Sequence, residues 1–380
     1  NKKLGIIVAI IVILIAGNYY KNSYIESELD KALKENIEKD MELSKKLSYE
    51  EINCNGLLKV DCSFNNVKLL IDKNNGETYL SAENIKVGDI AQFEKLKSLD
   101  INDKMQMQSL LIDILKDGMT YDISIENLNI DSSGDFKNLE NDFKNSLNST
   151  FNNDMEVINL IVKNLEDLKE DGIDYNLVVS FDGSTFKLED SIKTAIYSQA
   201  LSTNISYAPA DINNIYDAEK TFNNAIFNNI NFAIDTDNDL VQTALYIMLK
   251  NTYYTSNRYG QRNINFNLAN NLGIDTTVPK LTFNEFKTVL KSDKVSQNLK
   301  AVVAQMKSNS SRLDKSGYLN KIVDALLDKS IKLTQGVDKN LEVDISSKLS
   351  INALQEEYRS IIFYGKTSKP FDELIQIEIN

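Results

Sequence analysis

Histidine and tryptophan are missing from this sequence altogether, proline occurs three times and cysteine twice. Without histidine, the commonest general base and the commonest transition-metal ligand are gone, so histidine triads, zincin-type sites and histidine pH switches are excluded. So few prolines argue against a proline-rich rod or linker. No Gly-x-Gly-x-x-Gly, phosphate loop or Gly-x-Ser-x-Gly occurs, which leaves no motif for dinucleotide binding, nucleotide hydrolysis or a nucleophile elbow. Basic clusters with interleaved aromatics are also lacking, and the net charge of −13 comes from 55 acidic against 42 basic residues. Nucleic acid is therefore not expected as a partner. No cofactor and no metal is expected either. The Asp235, Asp237, Asp239 string resembles part of a calcium loop, but Leu240 and Tyr246 stand where glycine and glutamate are required.

What is present begins with NKKLGIIVAIIVILIAGNYY. Leucine, isoleucine and valine fill most of residues 4–15, and no charged or hydrogen-bonding side chain falls within residues 4–17. As a helix that run spans about 21 Å against a hydrocarbon thickness of about 30 Å, so Tyr19, Tyr20, Lys2 and Lys3 would have to reach the interfaces. A buried helix and a cleaved signal peptide are the alternatives. The first is rarely apolar all round, and the second lacks small residues at the cut-site positions before Ala16 or Gly17. An uncleaved transmembrane anchor over residues 1–20 is the favoured reading, with the amino terminus cytoplasmic by the charge rule. No later segment approaches eighteen apolar residues.

Behind it, residues 21–47 place Ile25, Leu29, Leu33 and Ile37 four apart among charges, an amphipathic juxtamembrane helix. The period then changes. Leu58, Val60, Cys62 and Phe64 alternate with polar residues, Asn65 and Asn66 read as a turn, and Val67, Leu69 and Ile71 form a second strand. Similar period-2 stretches followed by period-3.6 stretches recur down the chain, the last pair being 340–351 (NLEVDISSKLSI) and 352–363 (NALQEEYRSIIF), with 188–201 (LEDSIKTAIYSQAL) read as one of the helices. Thr282 and Glu285 form a capping box ahead of Phe286, and Leu374, Ile375, Ile377 and Ile379 predict a closing strand. Alternation with polar residues implies a sheet with one wet face. The expected fold class is α+β: one N-terminal transmembrane helix, then repeated, mainly antiparallel strand-and-helix units. The regions fall at 48–205 and 206–380, the second either separate from the first or continuous with it.

Cys54 and Cys62 are the only cysteines. A disulfide between them is the preferred reading, with two reduced core thiols the alternative and redox catalysis disfavoured by the lack of Cys-x-x-Cys spacing. Tyr246, Tyr253, Tyr254 and Tyr259 gather in one segment, as a candidate interaction surface or as packing at a helix end. No catalytic residue stands out.

The strands VDCSFNNVKLLID and LSAENIKVG, between Gly56 and Gly88, resemble those of bacterial inner-membrane-anchored periplasmic proteins of the YdgA-like and AsmA-like group. That resemblance implies a single-pass inner-membrane protein with its body in the periplasm, and carries no site residues over. The function expected is a non-enzymatic envelope scaffold or binding protein. The partners expected are the membrane through residues 4–20, then another envelope protein or a homo-oligomer. The alternative is a lipid carrier with an apolar groove along the sheet.

Overall fold

The computed structural model describes residues 26–27, 29–31, 34, 47–55, 60–72, 78–88, 103–132, 136–208, 212–237, 239–258, 278–314 and 316–380. The strands are β1 (Leu47–Ser48), β2 (Glu51–Asn55), β3 (Asp61–Asp72), β4 (Thr78–Gly88), β5 (Met119–Ser132), β6 (Ile173–Phe181), β7 (Thr185–Lys193), β8 (Tyr197–Ser206), β9 (Ile226–Thr236), β10 (Asn340–Ser346) and β11 (Gln376–Ile379). The helices are α1 (Lys104–Asp117), α2 (Phe136–Thr150), α3 (Met155–Asp171), α4 (Ile215–Asn224), α5 (Leu240–Arg258), α6 (Phe283–Leu290), α7 (Asp293–Leu313), α8 (Tyr318–Gln335), α9 (Ile351–Tyr364) and α10 (Phe371–Leu374), with a 3-10 turn at Val278–Lys280. The fold is α+β. Two compact units divide it: Asn1–Phe136 with Asp171–Thr194 and Ala200–Asn229, and Lys137–Glu170 with Ala195–Gln199 and Ile230–Asn380. They interleave in sequence and so differ from the consecutive regions 48–205 and 206–380.

The first unit is built on strands in the order β1-β3-β4-β5-β6-β7, with β2 also pairing β3. The ladders between them are all antiparallel. Its core gathers Leu29, Leu47, Ile52, Cys54, Val60, Cys62, Phe64 and Val87. Cys54 faces Cys62 directly across the β2–β3 ladder with Cα atoms 4.1 Å apart, and the two form a disulfide. Glu26 accepts the Cys54 backbone N–H and Asp30 accepts the Tyr49 hydroxyl, so the helical residues before β1 are tied to the strand pair that the disulfide clamps.

Asn65 and Asn66 do not turn the chain, since both lie inside β3. Asn66 adopts φ 51°, a left-handed conformation that asparagine tolerates better than other side-chain-bearing residues. This switches the side that faces the core, from Cys62 and Phe64 before it to Val67 and Leu69 after it. The partner changes at the same level, from β2 to β1. Two strands away, Asn127 in β5 has φ 49°, and its Nδ2 reaches Glu83 of the intervening β4. A crease thus crosses β3, β4 and β5. The asparagine signal is genuine, but paired neighbours on both sides convert a turn former into a strand bend.

A second difference concerns 188–201, which is strand β7, a turn and β8 rather than a helix. Leu188, Ile192 and Ile196 are four apart, a spacing that fits both a helical face and one face of a strand. Phe186, two before Leu188, satisfies only the strand period, and Leu188 and Phe186 pair with Val179 and Phe181 of β6.

In the second unit, the part of β9 from Ile230 onward, β10 and β11 are accompanied by most of the helices. Leu147, Val157, Ile158, Tyr246, Val278, Phe286, Leu290 and Val295 belong to its core. The Thr282–Glu285 capping box forms as expected, and the predicted closing strand is β11, antiparallel to β10.

No helix among the described residues is long and apolar enough to cross a membrane. The longest, α7, carries lysines, serines and asparagines along its length. Spanning requires about 20 apolar residues with no wet face, whereas these helices bury only a stripe. The anchor expected at 1–20 lies outside the described residues, as does most of the 21–47 helix. The membrane-anchored, single-pass reading is therefore set aside. With it go the inner-membrane and periplasmic placement, the membrane partner through residues 4–20, and the envelope-protein or homo-oligomer partners and the lipid carriage inferred from that placement.

Two substitutions test this architecture. Replacing both Cys54 and Cys62 by alanine is expected to cost about 2–3 kcal/mol in urea unfolding, the freedom that closing this short loop removes from the unfolded chain. Gly172 has φ 67°, and a Cβ there would lie 2.1 Å from Asn127 Oδ1 at the crease. Gly172→Ala should cost at least about 1–3 kcal/mol from the backbone alone, visible as a lowered unfolding midpoint.

Candidate functional site

The tyrosine segment lies on α5, and the structure draws it inward. Tyr246 is completely buried, so it is no part of a surface. Tyr253 and Tyr254 are partly buried against the same core, and Tyr259 lies outside the described residues. One turn after Tyr246 on the same face, Lys250 is also buried, its side chain 2% exposed. Its ammonium donates to Asp154 Oδ2 at 2.9 Å and to the Pro279 carbonyl at 3.2 Å. It also lies 5.2 Å from the centre of the Tyr246 ring. The Tyr254 hydroxyl donates to the same Asp154 oxygen at 3.0 Å.

The Tyr246 hydroxyl sits 2.7 Å from the Leu281 carbonyl and 2.9 Å from Glu156 Oε2, one phenolic group meeting two acceptors. Glu156 Oε1 accepts the Phe283 N–H, at the first residue of α6. The arrangement joins the start of α3, the middle of α5, the 3-10 turn and the start of α6. Burial, then the bond to Glu156, pushes the ionisation of Tyr246 well above the ordinary tyrosine range. Burial, then the bond to Asp154, pushes Tyr254 up to about 12. Such a network positions helices. Its ammonium is shut away from solvent, so it offers no accessible base or nucleophile.

The surface that stands out is α9, a helix with no buried residue. Ser350 caps its start by accepting the Ala353 N–H, and Gly365 ends it in the left-handed conformation. Glu357 accepts the Ser368 N–H and hydroxyl and so fixes the chain that leaves the helix. Over the last two turns Tyr358 is 64% exposed, Ile362 59%, Phe363 76% and Tyr364 76%. Arg359, Lys366 and Lys369 are exposed beside them, and no acidic residue falls between Tyr358 and Phe371.

The sequence reading assigned this segment to a helix and did not mark its surface. A signal was present: Ile361 through Tyr364 are four successive apolar residues, and a helix cannot turn four successive positions toward one core. Among the described residues no group of three or more acidic or cysteine side chains is placed to hold a metal. No protein-family model matches the chain, and no curated protein matches its sequence.

The buried network makes a pH-dependent prediction. Tyrosine in the unfolded chain ionises near pH 10, while Tyr254 in the fold holds its proton up to about 12. A raised folded value stabilises fully below the unfolded one and is lost as pH climbs through the folded one. Urea midpoints are therefore expected to fall between about pH 10 and pH 12, and to fall less steeply in Tyr254→Phe than in the unaltered protein.

Proposed function

We propose that this chain is a non-enzymatic interaction module whose second unit presents α9 to a protein partner. The observation that carries the reading is the contrast within α9: no buried residue, yet three aromatic side chains and an isoleucine turned to solvent. Apolar side chains scattered singly on a surface are ordinary; Tyr358, Ile362 and Phe363 on one side of the helix, with Arg359 among them, have the composition of an interface centre with its rim. A helix face of this kind is read by a groove or another helix through residues three and four apart, as Tyr358, Arg359, Ile362 and Phe363 are. The caps and the Glu357 bonds hold the face in one conformation before any partner arrives, so little ordering entropy is left to lose on binding.

The test is a photo-crosslinker placed at position 363 in the intact protein, with a matched probe at Met105, which is exposed on α1. Covalent protein adducts are expected from position 363 and not from 105, and Ile362→Asp should abolish them while shifting the unfolding free energy by less than about 0.5 kcal/mol, as surface substitutions do. Equal adducts from both positions, or adducts indifferent to Ile362→Asp, would overturn the proposal.

A further inference from the structure

The geometry points to a covalent end state for the buried ion pair of the second unit: an amide formed within the chain between Lys250 Nζ and Asp154 Cγ, with loss of one water. No outside substrate reaches this ammonium, but its partner carboxyl does. Among the described residues this ion pair is the most removed from water, with side chains 2% and 13% exposed; the next lysine in that order, Lys329, is 14% exposed and faces an aspartate at 31%. An ammonium has three N–H donors. Among the described residues only two oxygens meet them, Asp154 Oδ2 at 2.9 Å and the Pro279 carbonyl at 3.2 Å. An amide in the same place is satisfied in full. Its single N–H donates to the Pro279 carbonyl, and its oxygen keeps the Tyr254 hydroxyl that lies 3.0 Å from Oδ2.

Asp154 Cγ lies one bond beyond Oδ2, so a small tilt of the carboxyl brings it to the near-attack separation of about 3–3.5 Å, where groups react as if at effective concentrations of about 10⁵–10⁸ M. The step needs no other reactant. One ammonium proton crosses the hydrogen bond to Oδ2, an exchange that the exclusion of water favours because it removes both charges. The amine lone pair then attacks Cγ: the C–N bond forms, and the second pair of the Cγ–Oδ1 double bond moves onto Oδ1. That oxygen faces the Val157 N–H at 3.5 Å, in the first turn of α3, where the positive end of the helix stabilises it. A second proton passes from nitrogen to Oδ1. Oδ2 then re-forms the carbonyl, the Cγ–Oδ1 bond breaks, and Oδ1 departs with the Oδ2 proton as water, while the third hydrogen stays on the amide nitrogen. The ion pair as folded is the starting state, and its ions have already given up most of their hydration, so the usual cost of joining a free amine and a free acid in water is reduced.

The experiment is the intact mass of the full chain, with the disulfide reduced and the fold denatured, together with a tryptic map of the same sample. The expected mass is lower than that of the sequence by one water. The map should show the peptides of Asp154 and Lys250 joined, with no cleavage after Lys250. Lys250→Arg and Asp154→Ala should each restore the full mass. Because the bond ties positions 96 apart in sequence, the reduced and denatured chain should also migrate differently from either variant in electrophoresis. A full sequence mass in the unaltered protein overturns the proposal, whether or not the variants fold. So does a missing water that maps to a succinimide at an Asp-Gly step such as Asp182-Gly183, or one that survives both substitutions.

Discussion

Lys250 carries a positive charge into a place that water does not reach, and the second unit is organised around meeting it. An unpaired ammonium in such a site would cost several kcal/mol and lose its proton instead. The charge is answered by Asp154 and by the Pro279 carbonyl, with the Tyr246 ring alongside and Tyr254 sharing the aspartate. These partners come from three separate stretches of chain, so satisfying one charge fixes where the α2–α3 junction, α5 and the 3-10 turn must stand. Replacing the group with well-packed apolar residues need not destabilise the fold, but removing a single member strands the others. The constraint is one of placement more than of net energy.

In the first unit the comparable constraint lies in the backbone. A sheet of long strands buries one side chain in two, and an unbroken alternation would commit each strand to a single face along its whole length. The left-handed asparagines of β3 and β5 break that commitment at one level, letting Cys62 and Phe64 share a core with Val67 and Leu69. Gly172 approaches Asn127 more closely than any side chain would permit. The disulfide lies on the near side of the crease, in the ladder between β2 and β3. It therefore clamps the strand pair to which the preceding helical residues are also bonded.

Much of the fold was legible in residue order, and the misses have identifiable causes. The Thr282–Glu285 cap, α9, β10, β11 and the Cys54–Cys62 bridge depend on neighbours along the chain or on facts of pairing that few alternatives compete with. The helix expected over 188–201 failed because spacing by four serves two periods, and the pairing of β7 with β6 decided between them. The Asn65–Asn66 turn failed because local preference for a left-handed conformation says nothing about whether the flanking segments already have partners. The membrane reading weighed hydropathy in a stretch outside the described residues, and among the described ones no helix has an apolar circumference long enough to span. The tyrosine segment was correctly singled out as dense in aromatics, but composition does not say which way an aromatic points.

By itself, the sequence determined the absence of histidine chemistry, the acidic balance, the alternation of strand and helix, and the local caps, because each depends on residue type or near-neighbour spacing. Only the tertiary structure decided which tyrosines are core and which aromatics stay exposed. Tyr246 and Tyr364 are the same residue type, each within an apolar helical stretch, yet one is completely buried and the other is 76% exposed. The physical reason is that burial is set by what arrives from elsewhere in the chain. Phe283, Phe286 and Glu156 close over Tyr246, while the outer face of α9 remains open to solvent.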